Sequence, residues 1–351
     1  MPKPFSLTTP TALTSYAQYR LPYSDHYTTL RLRGAACVID TLASLEGRQG
    51  FVIAPFQAGP DTPIVLLPAG DGQVEECSLP GSEAQPGGRE NQPAAPAPSA
   101  AYAAAFHRFS QAVRSGQFSK LVLSRSLTAD SPTPYSPQTL FLRTCQAFPR
   151  AMVMLFSTPQ TGTWLVASPE ILLDFQPPYF RTMALAGTMP HREGLPAWST
   201  KNQEEQHIVE QYIADTLKPY ADTLIKDGPR TVQAGPLMHL RTDFRFTLRP
   251  GCSVARLLCD LHPTPAVCGL PKEEALRFIL QNEQAPRRYY SGFAGPLGLR
   301  GETHLYVMLR CLQLTGARQA VLHAGGGIMP DSILEEEWQE TQQKMIAHVL
   351  R

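Results

Sequence analysis

The sequence predicts a mixed α/β fold, and two kinds of segment support this prediction. Short apolar runs between turn residues, as at residues 50–54 and 64–67, are typical of strands. Longer stretches with apolar residues three or four positions apart, as at residues 101–115, are typical of helices. The two kinds alternate over 351 residues, which is enough chain for one large or two medium domains.

Charge and composition exclude several classes of protein. The 31 basic and 30 acidic residues give a formal charge of +1, without the basic block or stripe that nucleic-acid binding needs. The N-terminus lacks the apolar core of a signal peptide, and no apolar run has the roughly 18 residues of a membrane span. The seven scattered cysteines form no C-x-x-C pair, which argues against a disulfide framework or a zinc site. We expect a soluble, cytoplasmic protein that binds neither nucleic acid nor membrane.

The first third of the chain begins with several predicted strands. Apolar runs at 35–39, 50–54 and 64–67 carry this prediction, and no catalytic motif accompanies them. Residues 80–99 are rich in proline, glycine and alanine and have no apolar anchors, which predicts a flexible loop. Residues 101–115 then form a helix that Gly116 ends.

A predicted strand at residues 118–127 is apolar on both faces, which is typical of a buried strand. Lys120 lies inside it, so its ammonium must find a partner, lose its charge or extend to solvent at the strand end. Further strands are predicted at 151–157 and 163–168. Glu170 follows between apolar runs, either as a turn residue or as an acid with a raised pKa.

An acidic helix is predicted at residues 201–218, where Pro219 ends it. On its helical wheel Glu205 shares a side with the apolar residues, whereas Glu204 and Glu210 face away from them. A carboxylate that points inward needs a partner, and a cation would be one.

The next part of the chain is predicted as a strand at 238–248, helices at 254–260 and 272–284, and a hairpin at 289–298 and 305–313. Arg310 falls in the second strand of this hairpin. His239 and His262 are candidates for ligand contact, although a single histidine is more often a hydrogen-bonded structural residue.

The last motif is an apolar strand at 319–323, three glycines at 325–327 and an acidic helix. Ser332 and Glu335 fit a capping box at the helix start. Glu337, Glu340 and Lys344 lie on one side of the helix, either as a solvated surface or as part of a site.

Glycines without a Cβ let backbone N–H groups turn towards an anion, and no nucleotide-binding motif accompanies these three. A carboxylate ligand, bridged to glutamates by a cation, fits better. Oxygen ligands alone suit Mg²⁺ better than zinc, so Glu205 with Glu337 and Glu340 is a candidate magnesium site.

Nine segments in this order resemble the chorismate-utilising enzymes, a family that includes anthranilate synthase component I, and among them most closely the isochorismate synthases. Together they cover roughly residues 100–350, from position 118 to position 344. The segments are FSKLVLSR (118–125), ASPEILL (167–173), LAGT (185–188), KNQEEQHIVEQYIADTLKP (201–219), HLRTDF (239–244), LHPTPAVCGLPK (261–272), SGFAGPLG (291–298), LRCLQL (309–314) and AGGGIMPDSILEEEWQETQQK (324–344).

The resemblance implies a fold of two facing, mostly antiparallel sheets wrapped by helices. Residues 100–351 would form the catalytic core, and residues 1–99 would be the variable N-terminal part of the same fold. Chorismate and Mg²⁺ would bind between the sheets.

The resemblance also implies roles for individual residues. Lys120 matches the general base that activates water, and Glu170 matches the general acid for the departing C4 hydroxyl. Glu205 and Glu340 match magnesium ligands, with Glu337 close by. The matching substrate-binding positions are Gly187, His239, Ala266, Arg310, Gly325, Gly326 and Lys344.

The implied reaction is the Mg²⁺-dependent isomerisation of chorismate to isochorismate, which feeds menaquinone or siderophore biosynthesis. Ammonia-using members carry glutamine where Lys120 stands, so we expect water as nucleophile, no glutamine amidotransferase partner, and a monomer. Two alternatives are a salicylate synthase and a non-catalytic chorismate-binding subunit. The sequence departs from the family pattern at Gln206, where histidine is common, and at Gly326, where alanine is usual.

Overall fold

The computed structural model describes residues 15–32, 34–70, 72–80, 97–190, 197–234 and 237–350. The strands in these ranges, numbered in chain order, are β1 Tyr16–Arg20, β2 His26–Leu32, β3 Cys37–Ile39, β4 Gly50–Ala54, β5 Ile64–Pro68, β6 Gly72–Ser78, β7 Lys120–Asp130, β8 Met152–Thr158, β9 Gly162–Ser168, β10 Ile171–Gln176, β11 Tyr179–Pro190, β12 Ala221–Ala234, β13 Leu237–Leu248, β14 Gly269–Leu270, β15 Phe293–Leu297, β16 Thr303–Val307, β17 Cys311–Leu314 and β18 Gln319–Ile328. The α-helices are α1 Ala100–Arg114, α2 Pro137–Ala147, α3 Thr200–Leu217, α4 Val254–Leu261, α5 Lys272–Asn282 and α6 Leu334–Lys344. Two 3₁₀ helices span Leu42–Leu45 and Ala347–Leu350.

The strands form two nine-stranded sheets whose described neighbours pair antiparallel. The first sheet has the order β14-β7-β18-β17-β9-β8-β1-β2-β6, and the second has the order β12-β13-β11-β10-β16-β15-β4-β5-β3. An apolar core lies between them, with Phe156 and Trp164 from the first sheet packed against Phe51 and Tyr306 from the second. The predicted two-sheet fold is therefore confirmed.

Helices cover the outer faces of both sheets. Helices α3 and α4 pack on the second sheet, while α1, α2, α5 and α6 pack on the first. Serine side chains cap α1, α2, α3 and α4 at Ser99, Ser136, Ser199 and Ser253, each accepting a backbone N–H of the first turn. Within the described residues no helix is long and apolar enough to cross a membrane.

The N-terminal residues contribute strands to both sheets. Strands β1, β2 and β6 extend the first sheet, and β3, β4 and β5 extend the second. The predicted strands near 35–39, 50–54 and 64–67 are confirmed as β3, β4 and β5. Most of the loop predicted at 80–99 lies outside the described residues.

Three local predictions are wrong. The hairpin containing Arg310 consists of β15 and β16, and Arg310 lies after it, where the chain crosses to the first sheet. Helix α6 has no side-chain cap, because the Ser332 hydroxyl donates to Glu337 instead. Glu210 is buried, because β12 and β13 extend beneath its side of α3: it accepts from Thr242 at 2.6 Å and pairs with Lys226 at 2.8 Å.

Candidate active site

A cavity lies where the two sheets meet α3 and the end of α6. Eight of the twelve predicted site residues line it: Glu170, Gly187, Glu205, His239, Ala266, Arg310, Gly325 and Lys344. The other four are Lys120, Gly326, Glu337 and Glu340, and they lie directly behind this lining. The structure thus brings together residues that are far apart in the sequence.

Glu170 and Arg310 lie on two short segments that cross from one sheet to the other at the cavity. Glu170 is between β9 and β10, and Arg310 is between β16 and β17. The crossings are hydrogen-bonded to each other, since the Glu170 carbonyl accepts from Val307 at 3.0 Å and the Arg310 carbonyl accepts from Ala167 at 3.1 Å. Arg310 has a φ of 44°, a conformation that is uncommon for a residue with a side chain.

The Glu170 carboxyl is suited to donate a proton near neutral pH. Burial raises its pKa to about 8, although Lys120, Arg310 and Lys344 act in the opposite direction. Desolvation disfavours the charged form of an acid, so the neutral form persists to a higher pH. Of the two readings of Glu170, the structure favours the acid with a raised pKa.

Lys120 is fully buried and forms an ion pair with Glu205, with Nζ and Oε1 2.9 Å apart. The contact lacks the alignment of a hydrogen bond, and Nζ has no hydrogen-bond partner within the described residues. Burial would raise the pKa of Glu205, but Lys120, then Lys344 and Lys201, outweigh it and hold the pKa below its usual value. Glu205 therefore points inward as predicted, and its partner is the predicted base.

The three glycines belong to β18 and do not form a loop. Gly325, Gly326 and Gly327 pair with Ser124, Leu123 and Val122 of β7. A Cβ at Gly327 would lie 2.2 Å from Glu205 Oε1 and 2.9 Å from Lys120 Cε. The expectation of backbone N–H groups turned towards an anion is replaced by a steric role: the missing side chains let the lysine and glutamate approach the strand.

Glu337 and Glu340 approach Gly326 from α6, within 2.8 and 3.6 Å of the position that a Cβ would occupy. Glu337 pairs with Lys201 at 2.5 Å, and Glu340 pairs with Lys344 at 2.5 Å. Burial and then the charge of Glu340 raise the pKa of Glu337 to about 7. Of the two readings of this helix side, the structure supports the site, because Glu337 is buried and not a solvated surface group.

These carboxylates fit a magnesium ion in part. Within the described ranges no three acidic, histidine or cysteine side chains are grouped closely enough to hold a metal by themselves. Mg²⁺ commonly uses only one or two carboxylates and takes its other ligands from water and substrate. The buried Oε2 of Glu337 has no hydrogen-bond partner within the described residues, so a cation beside Glu340 would satisfy it.

His239 positions Arg310 at the cavity. Its Nε2 lies 3.0 Å from Arg310 Nη2, and its Nδ1 lies 3.2 Å from the Gly187 carbonyl. Because guanidinium only donates, Nε2 is the acceptor and the proton is assigned to Nδ1. Burial, Arg310 and Lys344 lower the pKa of His239 far below its usual value, which keeps it neutral. His262 instead bonds to the Pro55 carbonyl and does not line the cavity.

A bulge in β11 shapes another wall of the cavity. The pairing with β13 shifts at Gly187, which has a φ of 69°, a conformation that favours glycine. A Cβ added at this position would lie 2.8 Å from the Asn202 carbonyl oxygen. Gln206 accepts from the Ala186 N–H at 2.8 Å and donates to the Ala184 carbonyl. Gln206, one of the two departures from the family pattern, therefore holds the bulge in place.

The sequence did not single out three residues of the site. Tyr290 and His323 line the cavity, and Lys201 pairs with Glu337. The two aromatic rings stack with centroids 5.5 Å apart. In the sequence His323 ends an apolar run and Tyr290 falls in a predicted strand, so both have the pattern of core residues. Lys201 is the first residue of the predicted acidic helix and could have been noticed as a counter-charge.

A larger cavity of about 780 Å³ adjoins the first and shares Pro169, Leu185 and Arg310 with it. Its wall contains neither the predicted lysine base nor the predicted glutamates. The smaller cavity is therefore the candidate active site.

Comparison with known families gives the class of protein to which this fold and site belong. A family profile described as chorismate binding enzyme matches residues 75–350, so the chain belongs to the chorismate binding enzyme family.

Two known proteins are similar to this chain in sequence, and a solved structure is similar to it in fold. It is similar to isochorismate synthase DhbC of Bacillus subtilis strain 168, with 30% identity over 249 residues, 66% of this chain and 62% of the relative. It is 33% identical to the salicylate biosynthesis isochorismate synthase of Pseudomonas aeruginosa. This alignment of 246 residues covers 67% of this chain and 51% of the relative. The match thus spans less than two thirds of either relative. The menaquinone-specific isochorismate synthase MenF of Escherichia coli has the same fold, with a TM-score of 0.75, 22% identity, and coverage of 96% of this chain and 88% of MenF.

Proposed function

We propose that this chain isomerises chorismate to isochorismate in a Mg²⁺-dependent reaction. The observation that carries the proposal is the placement of a neutral acid, Glu170, and a buried lysine, Lys120, at one cavity that also contains Arg310 and Lys344. The two cationic side chains suit a substrate with carboxylates. The names of the similar proteins support the same reaction.

In the proposed mechanism, Lys120 in its neutral amine form takes a proton from a water that attacks C2 of the ring. Glu170 gives its proton to the C4 hydroxyl, which leaves as water while the ring double bonds shift. One water enters and one leaves, so the reaction is an isomerisation. Arg310, held by His239, would bind a substrate carboxylate and fix the ring between acid and base.

We further propose that Glu205, Glu337 and Glu340 contribute carboxylates to a magnesium site whose remaining ligands would be water and substrate. When bound, Mg²⁺ would supply positive charge for the C1 carboxylate of chorismate. Lys120 in place of glutamine favours water over ammonia, so we propose an enzyme that needs no glutamine amidotransferase partner and acts as a cytoplasmic monomer. The product would serve menaquinone or siderophore biosynthesis.

The proposal is tested by incubating the protein with chorismate, with and without Mg²⁺, and separating the products by chromatography. We expect isochorismate only when Mg²⁺ is present. Salicylate with pyruvate as the main product would identify a salicylate synthase. Binding of chorismate without its consumption would identify a non-catalytic chorismate-binding subunit.

A further inference from the structure

A buried ion pair lies behind the cavity wall. Arg287 donates through Nη2 to Glu283 Oε1 at 2.6 Å and through Nε to Oε2 at 2.8 Å. Both side chains are buried, and the guanidinium packs over the ring of Phe56 at 4.2 Å. The two parallel hydrogen bonds fix the orientation of the guanidinium as well as its position.

The same ion pair binds the backbone of two separate walls of the cavity. Arg287 Nη1 donates to the Val267 carbonyl at 2.6 Å, and Nη2 donates to the Val122 carbonyl at 2.8 Å. Val122 belongs to β7, Val267 follows α4, and both line the cavity. Glu283 Oε1 accepts the N–H of Ser124, also on β7, at 2.7 Å.

These contacts fall where β7 pairs with the glycine run of β18. Val122 pairs with Gly327 and Ser124 pairs with Gly325, while Lys120 is two residues before Val122. The Lys120 side chain passes close over Gly327, with Cε 2.9 Å from the position that a Cβ there would occupy. A shift of β7 relative to β18 would therefore move the lysine ammonium.

We propose that Glu283 and Arg287 are positioning residues for the reaction. They hold β7 and the Val267 segment in register, which sets the position of Lys120 relative to the substrate, although neither side chain lines the cavity. This inference rests on the proposed function, because it assigns Lys120 a catalytic task.

The competing explanation is that the pair stabilises the fold alone, and Arg20 provides a matched control. Arg20 is also fully buried and also holds backbone carbonyls, those of Cys145, Phe148 and Pro149, at 3.2, 2.6 and 2.7 Å. It ties β1 to the end of α2, and none of these residues lines the candidate active site.

The experiment compares Arg287→Lys with Arg20→Lys. Lysine keeps the charge, but its single ammonium cannot reproduce a fork that reaches a carboxylate and two carbonyls. We expect both variants to lower the thermal midpoint, and only Arg287→Lys to lower kcat, by about tenfold or more. A displacement of about 1 Å in an active site can cost about 10²-fold in rate.

One further measurement and one replacement variant make the result decisive. Hydrogen–deuterium exchange of the peptide 118–127 should be faster in Arg287→Lys and unchanged in Arg20→Lys. If Arg287→Lys does not fold, Glu283→Gln takes its place, since glutamine can still accept the Ser124 N–H but loses the ion pair. Equal kcat losses in the two arginine variants, or a kcat at the wild-type value in Arg287→Lys, would overturn the inference.

The result that would refute the proposed function differs from the result that would overturn the role of the ion pair. Wild-type protein that leaves chorismate unchanged would refute the enzyme assignment. In that case an unchanged exchange rate in peptide 118–127 would also overturn the proposed role of the ion pair.

Discussion

The ammonium of Lys120 lies 2.9 Å from the carboxylate of Glu205, and the contact connects the two halves of the molecule. Lys120 is on β7 of the first sheet, whereas Glu205 is on α3, which packs on the second sheet. The proposed base and a proposed magnesium ligand are therefore held in direct contact at the cavity wall.

Replacing Lys120 tests the choice of base. We expect Lys120→Gln to abolish isochorismate formation, because an amide cannot take a proton from water. Mg²⁺-dependent binding of chorismate, measured by calorimetry, should remain. A variant that makes isochorismate at nearly the wild-type rate would show that another residue is the base.

Removing the metal or its ligands should stop turnover. We expect no activity in excess EDTA, recovery on addition of Mg²⁺, and severe losses in Glu205→Ala and Glu340→Ala. Glu204→Ala is the matched control, because Glu204 is exposed on the same helix as Glu205. Full activity in EDTA would contradict the metal assignment.

Glu170→Gln keeps the size of the side chain but cannot donate an acidic proton. We expect it to bind chorismate and to turn over about 10² to 10⁴ times more slowly, the usual contribution of general acid catalysis. The wild-type rate should fall as pH rises past about 8, where the acid loses its proton. A loss smaller than about tenfold would give Glu170 a structural role.

Glu170 also predicts a pH dependence of stability. Its pKa rises from an ordinary 4.5 to about 8 on folding, so between these values the folded state holds one proton more than the unfolded state. The resulting stabilisation is complete below pH 4.5 and is lost as pH rises through about 8, at up to about 1.4 kcal/mol per pH unit. Urea unfolding of wild type and Glu170→Gln from pH 5 to 8 should give a difference that changes with pH. A constant difference would contradict the prediction.

The glycine at 327 should be indispensable. In Gly327→Ala the new Cβ would overlap Glu205 and Lys120, so we expect a loss of kcat of about tenfold or more, as small displacements in an active site commonly produce. Gly316→Ala is the control, since its nearest neighbour would be Gln319 Cβ at 3.9 Å. Equal activity of the two variants in a chorismate depletion assay would remove the steric argument.

Local sequence patterns predicted most elements because their periodicity is strong. Helices α1 and α3 and strands β7 and β9 lie within a few residues of their predicted bounds. Several elements were missed, among them α2, β11 and the long edge strand β12. In β12 most residues are exposed and Gly228-Pro229 interrupts the pattern, so there was little apolar alternation to detect.

The site was harder to predict than the fold. The inward side of Glu205 follows from helical spacing, but its pairing with Lys120 joins residues 85 positions apart and depends on how the sheets meet. The glycine run shows the same limit, because absent side chains permit a loop or a strand equally well. Only pairing with β7 decides that Gly325 to Gly327 form a strand.

The two hydrogen-bonded crossings at Glu170 and Arg310 have a consequence for motion. Sliding of one sheet over the other would have to stretch both covalent links and break the bonds from Val307 and Ala167. Thermal sliding should therefore be small at the cavity. The distance between Glu170, the proposed proton donor, and Arg310, the proposed substrate-binding residue, should accordingly be among the least variable in the molecule.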